Sequence, residues 1–334
     1  MPTQTILQRT LKRPVSFVGL GLHSGKKARI TLKPSDDAAG IFFRRKDVPA
    51  DQALIAARWY KVTDTTLSAG LSNRHGISVS TVEHLMAALR LCQIDNLVIE
   101  VDGPEIPIMD GSARPFVDTL STIGTRSTST RRKAIWIHKP VEVRQGARYA
   151  SLLPDTQPRV TVSIDFKEAI IGAQTLSVNI DDRTLLQDIA PARTFGFMDQ
   201  VEVLRSKGLA LGGSLNNAIL VDNDRIVNPD GLRFADEFVR HKILDAIGDL
   251  SLIGVPVFGH YHAFKSGHFL NKLLINKLLS DKSAWSYIEM DEFYQLHRIE
   301  HKYHGADLAR KPATATPRSR ESHQARKCVR NRQA

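Results

Sequence analysis

The stretch from Arg233 to Leu252 carries the tightest constraint in the chain. At about 100° per residue, Val239, Ile243, Ala246, Ile247 and Leu250 fall on one apolar arc, the pattern of a long helix packed on a core. His241, Asp245 and Asp249 recur at i, i+4 and i+8, so they lie within an arc of roughly 80° on the other side. Phe234, Phe238, Lys242 and Leu252 share that second arc. A solvated face would hold fewer large apolar side chains, so the pattern points to a lined cleft in which His241 and Asp245 are partly desolvated. An imidazole and two carboxylates on one face can supply ligands and supporting partners for one divalent metal. Taken alone, His-x3-Asp on a helix is a weak metal signal.

A chain of 334 residues with 42% apolar content is long enough for two domains, or one large one, with a full core. Cys92 and Cys328 lie too far apart in sequence to form a framework, which argues against a disulfide-stapled fold and a cysteine-rich zinc site. Met1 to Val18 has no apolar run of signal-peptide length, and no stretch is apolar enough to span a bilayer. The expectation is a cytoplasmic protein. The net charge is +11, but residues 310–334 hold eight Lys and Arg against Glu321 alone. Most of the basic character is therefore a tail, rich in Ser, Thr, Pro and Ala, whose composition predicts disorder. Such a tail could meet nucleic acid or an anionic membrane. The rest of the chain has no nucleic-acid motif and no basic stripe. We therefore expect no nucleic-acid partner, at most peripheral membrane contact, and a monomer.

The pattern reads as α+β, with strands and interspersed helices in both halves. Strands are predicted at 28–32 and 96–101, then at 134–138, 141–143, 160–164, 218–221 and 255–258. Helices are predicted at 80–91, where Val82, Leu85, Met86 and Leu89 share a face, and at 116–123. Residues 104–111 read as a loop, and the Gly-rich stretch 208–213 as a turn. The polar, basic segment 125–133 marks a boundary between a first domain over 1–127 and a second over 131–305, followed by the tail over 310–334.

Four further segments carry chemically useful side chains. Ser80-Thr-Val-Glu83-His84 sets a carboxylate beside an imidazole, a pairing able to bind a metal and take a proton from its water. The same residues fit a capping box, with Glu83 reaching back to the Ser80 N–H, and on this pair alone the cap is the better reading. His268, in Lys265-Ser-Gly-His268, could donate a proton or be a plain surface histidine. Thr194 and Phe195, in Ala192-Arg-Thr-Phe-Gly-Phe197, could stabilise an oxyanion and stack on a ring, or be ordinary loop residues. His23 lies in a short Gly-bracketed turn, Gly21-Leu-His-Ser-Gly25.

Together these segments are specific. With Gly19-Leu-Gly-Leu-His-Ser-Gly-Lys26, Asp95-Asn96, Pro104-Glu-Ile-Pro-Ile-Met-Asp-Gly-Ser112, Gly212-Gly-Ser214 and Asp230-Gly-Leu-Arg-Phe234, the chain resembles the UDP-3-O-acyl-N-acetylglucosamine deacetylases, zinc amidases of lipid A synthesis. The matching segments keep one order and cover roughly residues 6 to 300. The resemblance implies two similar α+β domains with the active site between them. It implies His84, His241 and Asp245 as zinc ligands with water in the fourth position; iron(II) suits the same donors. Glu83 would be the general base. Thr194 would support the oxyanion, and His268 would protonate the leaving amine or hold the developing charge. Asp249 would keep His268 protonated. Lys242 would contact the substrate near the amide or diphosphate, Phe195 would pack on the hexose, Phe166 would stack on uracil, and His23 would sit at the site's edge. The implied substrate is UDP-3-O-acyl-N-acetylglucosamine, and acetate the released product.

The family also has a β-α-β insert that forms a passage for the fatty acyl chain, which maps here to about residues 197–220. Val201, Leu204, Leu209, Leu211 and Leu215 suit such a passage, and a plain packing helix reads the same way. Where relatives often have Asp-Phe-His-Pro, this chain has Asp165-Phe-Lys-Glu168, which alters the nucleotide pocket and leaves the chemistry alone. A zinc hydrolase of another amide or of a nucleobase is the alternative activity.

Overall fold

The computed structural model describes residues 5–36 and 38–297. The predicted tail over 310–334 and the last residues of the predicted second domain lie outside the described residues. The chain is α+β: two main sheets, with helices layered against them.

The first sheet has five strands, in the order Val15–Leu20, Lys27–Pro34, Leu97–Val101, Ile41–Arg45 and Leu54–Ala56. Neighbours are antiparallel except Ile41–Arg45 with Leu97–Val101. Lys27–Pro34 shows why these residues form strands. Ala28, Ile30 and Leu32 are buried at every second position, and the residues between them face outward. Helices α1 (Glu83–Leu91) and α2 (Arg114–Ile123) cover the apolar side; Phe116 of α2 meets Phe17 edge-on, ring centroids 4.9 Å apart.

The predicted helix at Ser80 begins three residues late. Ser80 is held in a bridge with Glu105 and donates its N–H to the Pro104 carbonyl, and Thr81 has φ +59°. The capping box therefore does not form. Glu83 accepts the Ala69 N–H at 3.0 Å instead. The polar segment at 125–133 contains a strand, Thr125–Arg131, antiparallel to Leu7–Leu11.

The second sheet has seven strands around Val257–Phe264. That strand runs parallel to Pro158–Asp165 on one edge. On the other it is antiparallel to Arg148–Leu153 and, at its start, parallel to Lys133–Ile137. Val141–Gln145, Ala173–Asn179 and Trp285–Glu289 complete the sheet. After the short α3 (Leu185–Asp188), a separate small sheet pairs Phe195–Phe197 parallel to Ile219–Asp222, with α4 (Met198–Ser206) between them. This is a β-α-β unit in the stretch expected as an insert.

Helix α5 (Glu237–Ser251) follows, then α6 (His268–Ser280) and α7 (Met290–Leu296). Predicted from Arg233, α5 starts at Glu237, whose carboxylate accepts the backbone N–H of Arg233 at 2.6 Å and Nε of Arg193 at 2.8 Å. Helix α6, absent from the predicted elements, forms by burying Leu270, Leu274, Ile275 and Leu278.

One cluster of buried side chains runs through both sheets and helices α1, α2, α5 and α6. A smaller one stacks Phe258 on Phe293 at 3.8 Å. The contact that matters most for the site is the crossing of α1 and α5. A Cβ at Gly248 would lie 2.2 Å from the Glu83 carbonyl oxygen, so only glycine lets the two backbones approach this closely. Among the described residues, no helix is long and apolar enough to cross a membrane.

Candidate metal centre

The α1–α5 crossing brings together side chains far apart in sequence. Glu83 and His84 open α1, while His241, Asp245 and Asp249 line one face of α5. The His84 and His241 rings meet edge-on, centroids 4.9 Å apart. Nε2 of His241 is 3.2 Å, and Nε2 of His84 3.6 Å, from the same Asp245 oxygen, Oδ1. One ligand atom from each of the three lies within 4.8 Å of the others, and all three residues are buried.

This donor set fits a small divalent cation. His241 Nδ1 donates to the Ala192 carbonyl at 3.0 Å, which fixes the tautomer and leaves Nε2 with a free lone pair. Burial lowers the His241 pKa despite the pull of Asp245, so the ring is neutral and able to ligate. Burial would raise Asp245, but His241 and Lys242 outweigh it and hold the carboxyl well below the usual range. Lys242 Nζ lies 3.0 Å from Asp245 Oδ2 and 5.4 Å above the Phe195 ring.

Two groups suited to proton transfer flank the donors. Glu83 is buried, and desolvation raises its pKa against the opposing effects of His268 and His84. His268, the first residue of α6, donates Nδ1–H to Asp249, with Oδ1 at 2.9 Å and Oδ2 at 2.8 Å. Burial pulls its pKa down, but Asp249, with help from Glu83 and Asp245, more than reverses this and pushes it up to about 10. Asp249 is itself held by Asn271 Nδ2 at 2.7 Å, and Asn271 Oδ1 accepts from Tyr261 Oη at 2.5 Å.

A cleft of about 760 Å³ opens over these groups. Glu83, His84, His241, Lys242, Asp245 and His268 line it, as do Thr194, Phe195 and Phe166. The Phe166 and Phe195 rings pack edge-on at 5.7 Å. Two expected residues lie elsewhere. Asp249 is hydrogen-bonded to His268 but is off the lining. His23 is also off the lining: its neighbour Leu22 reaches the cleft, while its own ring nitrogens are buried without partners among the described residues. Burial lowers its pKa.

Thr81, Arg148 and Lys265, none of them a predicted site residue, also line the cleft. Lys265 pairs with Asp165 at 2.8 Å, and its carbonyl accepts Arg148 Nε at 2.8 Å. Lys265 stood in a recognised segment next to His268. Arg148 had no local signal, because the pairing of Arg148–Leu153 with Val257–Phe264 is what brings it there.

A donor set for one divalent cation, sharing a cleft with a buried carboxylate and an Asp-paired imidazole, matches the sites of metal-dependent hydrolases. Similarity to known proteins narrows the class. The family model LpxC, UDP-3-O-acyl N-acetylglycosamine deacetylase, matches residues 8–280, and the chain belongs to that family. Proteins named UDP-3-O-acyl-N-acetylglucosamine deacetylase are similar along most of its length. That of Myxococcus xanthus is 49% identical over 281 residues, covering 84% of this chain and 89% of the relative. That of Geotalea uraniireducens is 47% identical over 283 residues (85% and 92%). That of Neisseria meningitidis is 41% identical over 302 residues (87% and 98%).

Proposed function

We propose that the chain hydrolyses the N-acetyl group of UDP-3-O-[(3R)-hydroxyacyl]-N-acetylglucosamine, releasing acetate, the committed step of lipid A biosynthesis. The observation that carries this reading is the sharing of one cleft by Glu83, His268 and the His84–His241–Asp245 donor set. His84, His241 and Asp245 hold the cation, Zn²⁺ in this proposal, with Fe²⁺ as the alternative occupant. When bound, the cation supplies Lewis acidity toward a water and the amide carbonyl.

The chain's own residues move the protons. Glu83 takes a proton from the attacking water; desolvation favours its protonated form, so it holds that proton. The Thr194 hydroxyl donates to the carbonyl oxygen as negative charge develops there. His268, kept cationic by Asp249, gives a proton to the nitrogen as the carbon–nitrogen bond breaks. The products are acetate and the free amine.

The remaining lining suits the rest of the substrate. Lys242, with Arg148 and Lys265, offers positive charge to the diphosphate, Phe195 packs on the hexose, and Phe166 stacks on uracil. His23, one shell further out, borders the site through Leu22. The β-α-β unit supports an acyl passage. None of the α4 side chains is buried, and Met198, Val203, Leu211 and Leu215 stay exposed, leaving apolar surface for a fatty chain. A nucleotide-linked substrate of this kind supports a cytoplasmic location.

The direct test is acetate release from that substrate by the purified protein, before and after chelation, with His84→Ala alongside. Activity should vanish on chelation, return with zinc and be absent from the variant. A folded, zinc-loaded protein that releases no acetate would overturn the substrate assignment.

A further inference from the structure

Glu105 is a buried carboxylate, 4% exposed. It gathers three donors from two separate segments. Oε1 accepts the His23 N–H at 2.7 Å and the Thr81 hydroxyl at 3.3 Å, and Oε2 accepts the Ser24 N–H at 2.9 Å. The backbone around it is tied to the same segments. The Ser80 N–H donates to the Pro104 carbonyl, the Ile106 N–H donates to the Ser80 carbonyl, and Gly21 bridges Pro107. A Cβ at Gly21 would lie 2.2 Å from Oε2, so the turn has made room for this carboxylate.

Each segment leads to the site. Thr81 holds φ +59°, a left-handed conformation that a β-branched residue adopts only when its surroundings impose it. It lines the cleft and lies two residues before Glu83 and three before His84. On the other side, the turn carrying His23 accepts the N–H groups of Leu211, at 3.1 Å from the His23 carbonyl, and Gly212, at 3.0 Å from the Leu22 carbonyl. Those residues belong to the loop between α4 and its partner strand.

We infer that Glu105 is a positioning residue for the reaction. By holding Thr81 in its left-handed conformation it aims Glu83 and His84 into the cleft, and it ties that aim to the loop at 209–213. The inference rests on the deacetylase reading for its kinetic consequence, and on the geometry alone for its effect on the donors. Glutamine at this position keeps the shape but cannot accept on both oxygens; its amide NH₂ would face a backbone N–H.

The test compares wild type, Glu105→Gln, Thr81→Ala and the double variant by kcat and KM for acetate release at saturating zinc, zinc affinity by chelator competition, and melting temperature. Glu105→Gln should lower kcat about tenfold or more, since small misplacements of reacting groups are costly. KM should stay within about twofold, and zinc should bind about tenfold more weakly. Thr81→Ala should move in the same direction, and the double variant should match the worse single variant, because both act through one contact. If Glu105→Gln does not fold, Thr81→Ala with normal kcat and zinc affinity overturns the inference. Effects that multiply in the double variant, or activity and zinc affinity equal to wild type, also overturn it. If wild type releases no acetate but Glu105→Gln still weakens zinc, the substrate reading falls and the positioning role stands.

Discussion

At the scale of the residue, His268 shows how one contact sets a protonation state. It stands at the first position of α6, where the helix dipole disfavours a cation, and burial disfavours it further. Asp249 reverses both effects at 2.8 Å, and the folded-state pKa rises to about 10 from 6.5. This pair's contribution to stability is therefore fully present below about 6.5 and is lost as pH rises through about 10. The same sign applies to activity if the cationic form is the proton donor. Asp249→Asn should move the alkaline limb of the pH–rate profile down toward the ordinary imidazole range near 6.5 and cut kcat roughly hundredfold above it. An alkaline limb that stays in place would show that Asp249 does not set His268. The relation of His241, Asp245 and Asp249 was legible in sequence because the helical period alone puts them on one face. Glu83 was legible only through the family resemblance, because on local grounds Ser80-x-x-Glu83 fits a cap better. What decides against the cap is Glu105, remote in sequence, which holds Ser80 in a bridge.

At the scale of the element, the site depends on how closely α1 and α5 approach. Gly248→Ala introduces a methyl carbon 2.2 Å from the Glu83 carbonyl oxygen, against backbone that cannot rotate away. The helices must separate, at a cost of about 1–3 kcal/mol, and His84 must move away from His241 and Asp245. Denaturant unfolding should report a loss in that range, and zinc titration a weaker site. A variant with both unchanged would mean that the crossing tolerates the methyl and does not govern the donors. The strands around Ala28–Leu32 and Val160–Ile164 were legible because burial alternates along them. The strand Thr125–Arg131 was not: it is polar, and pairing with Leu7–Leu11 is what makes it a strand. Helix α6 was not legible because it begins at His268 with no Ser, Thr, Asp or Asn cap before it; Gly267 stands at the cap position and has no side chain to bond the first turn.

At the scale of the whole molecule, the donors link helices that sit on different sheets, so binding there should stabilise the fold as a unit. Without a cation, the site is not a cluster of unmatched charge. Asp245 already has Lys242 at 3.0 Å and two imidazoles beside it, and the core continues across both sheets without a break. The metal-free protein should therefore stay folded, unlike a zinc finger, where ligation is the main source of folding energy. A ligand that binds only the native state adds about 4 kcal/mol at a thousandfold excess over its dissociation constant, worth roughly 6 °C for a chain of this size. Chelation should thus leave the far-ultraviolet circular dichroism spectrum unchanged and lower the melting temperature by about that amount, with zinc restoring it. His84→Ala should melt at one temperature whether or not zinc is present. Loss of the native spectrum on chelation would mean that the donors hold the two sheets together. A wild-type melting temperature indifferent to zinc would mean that these three side chains do not bind it.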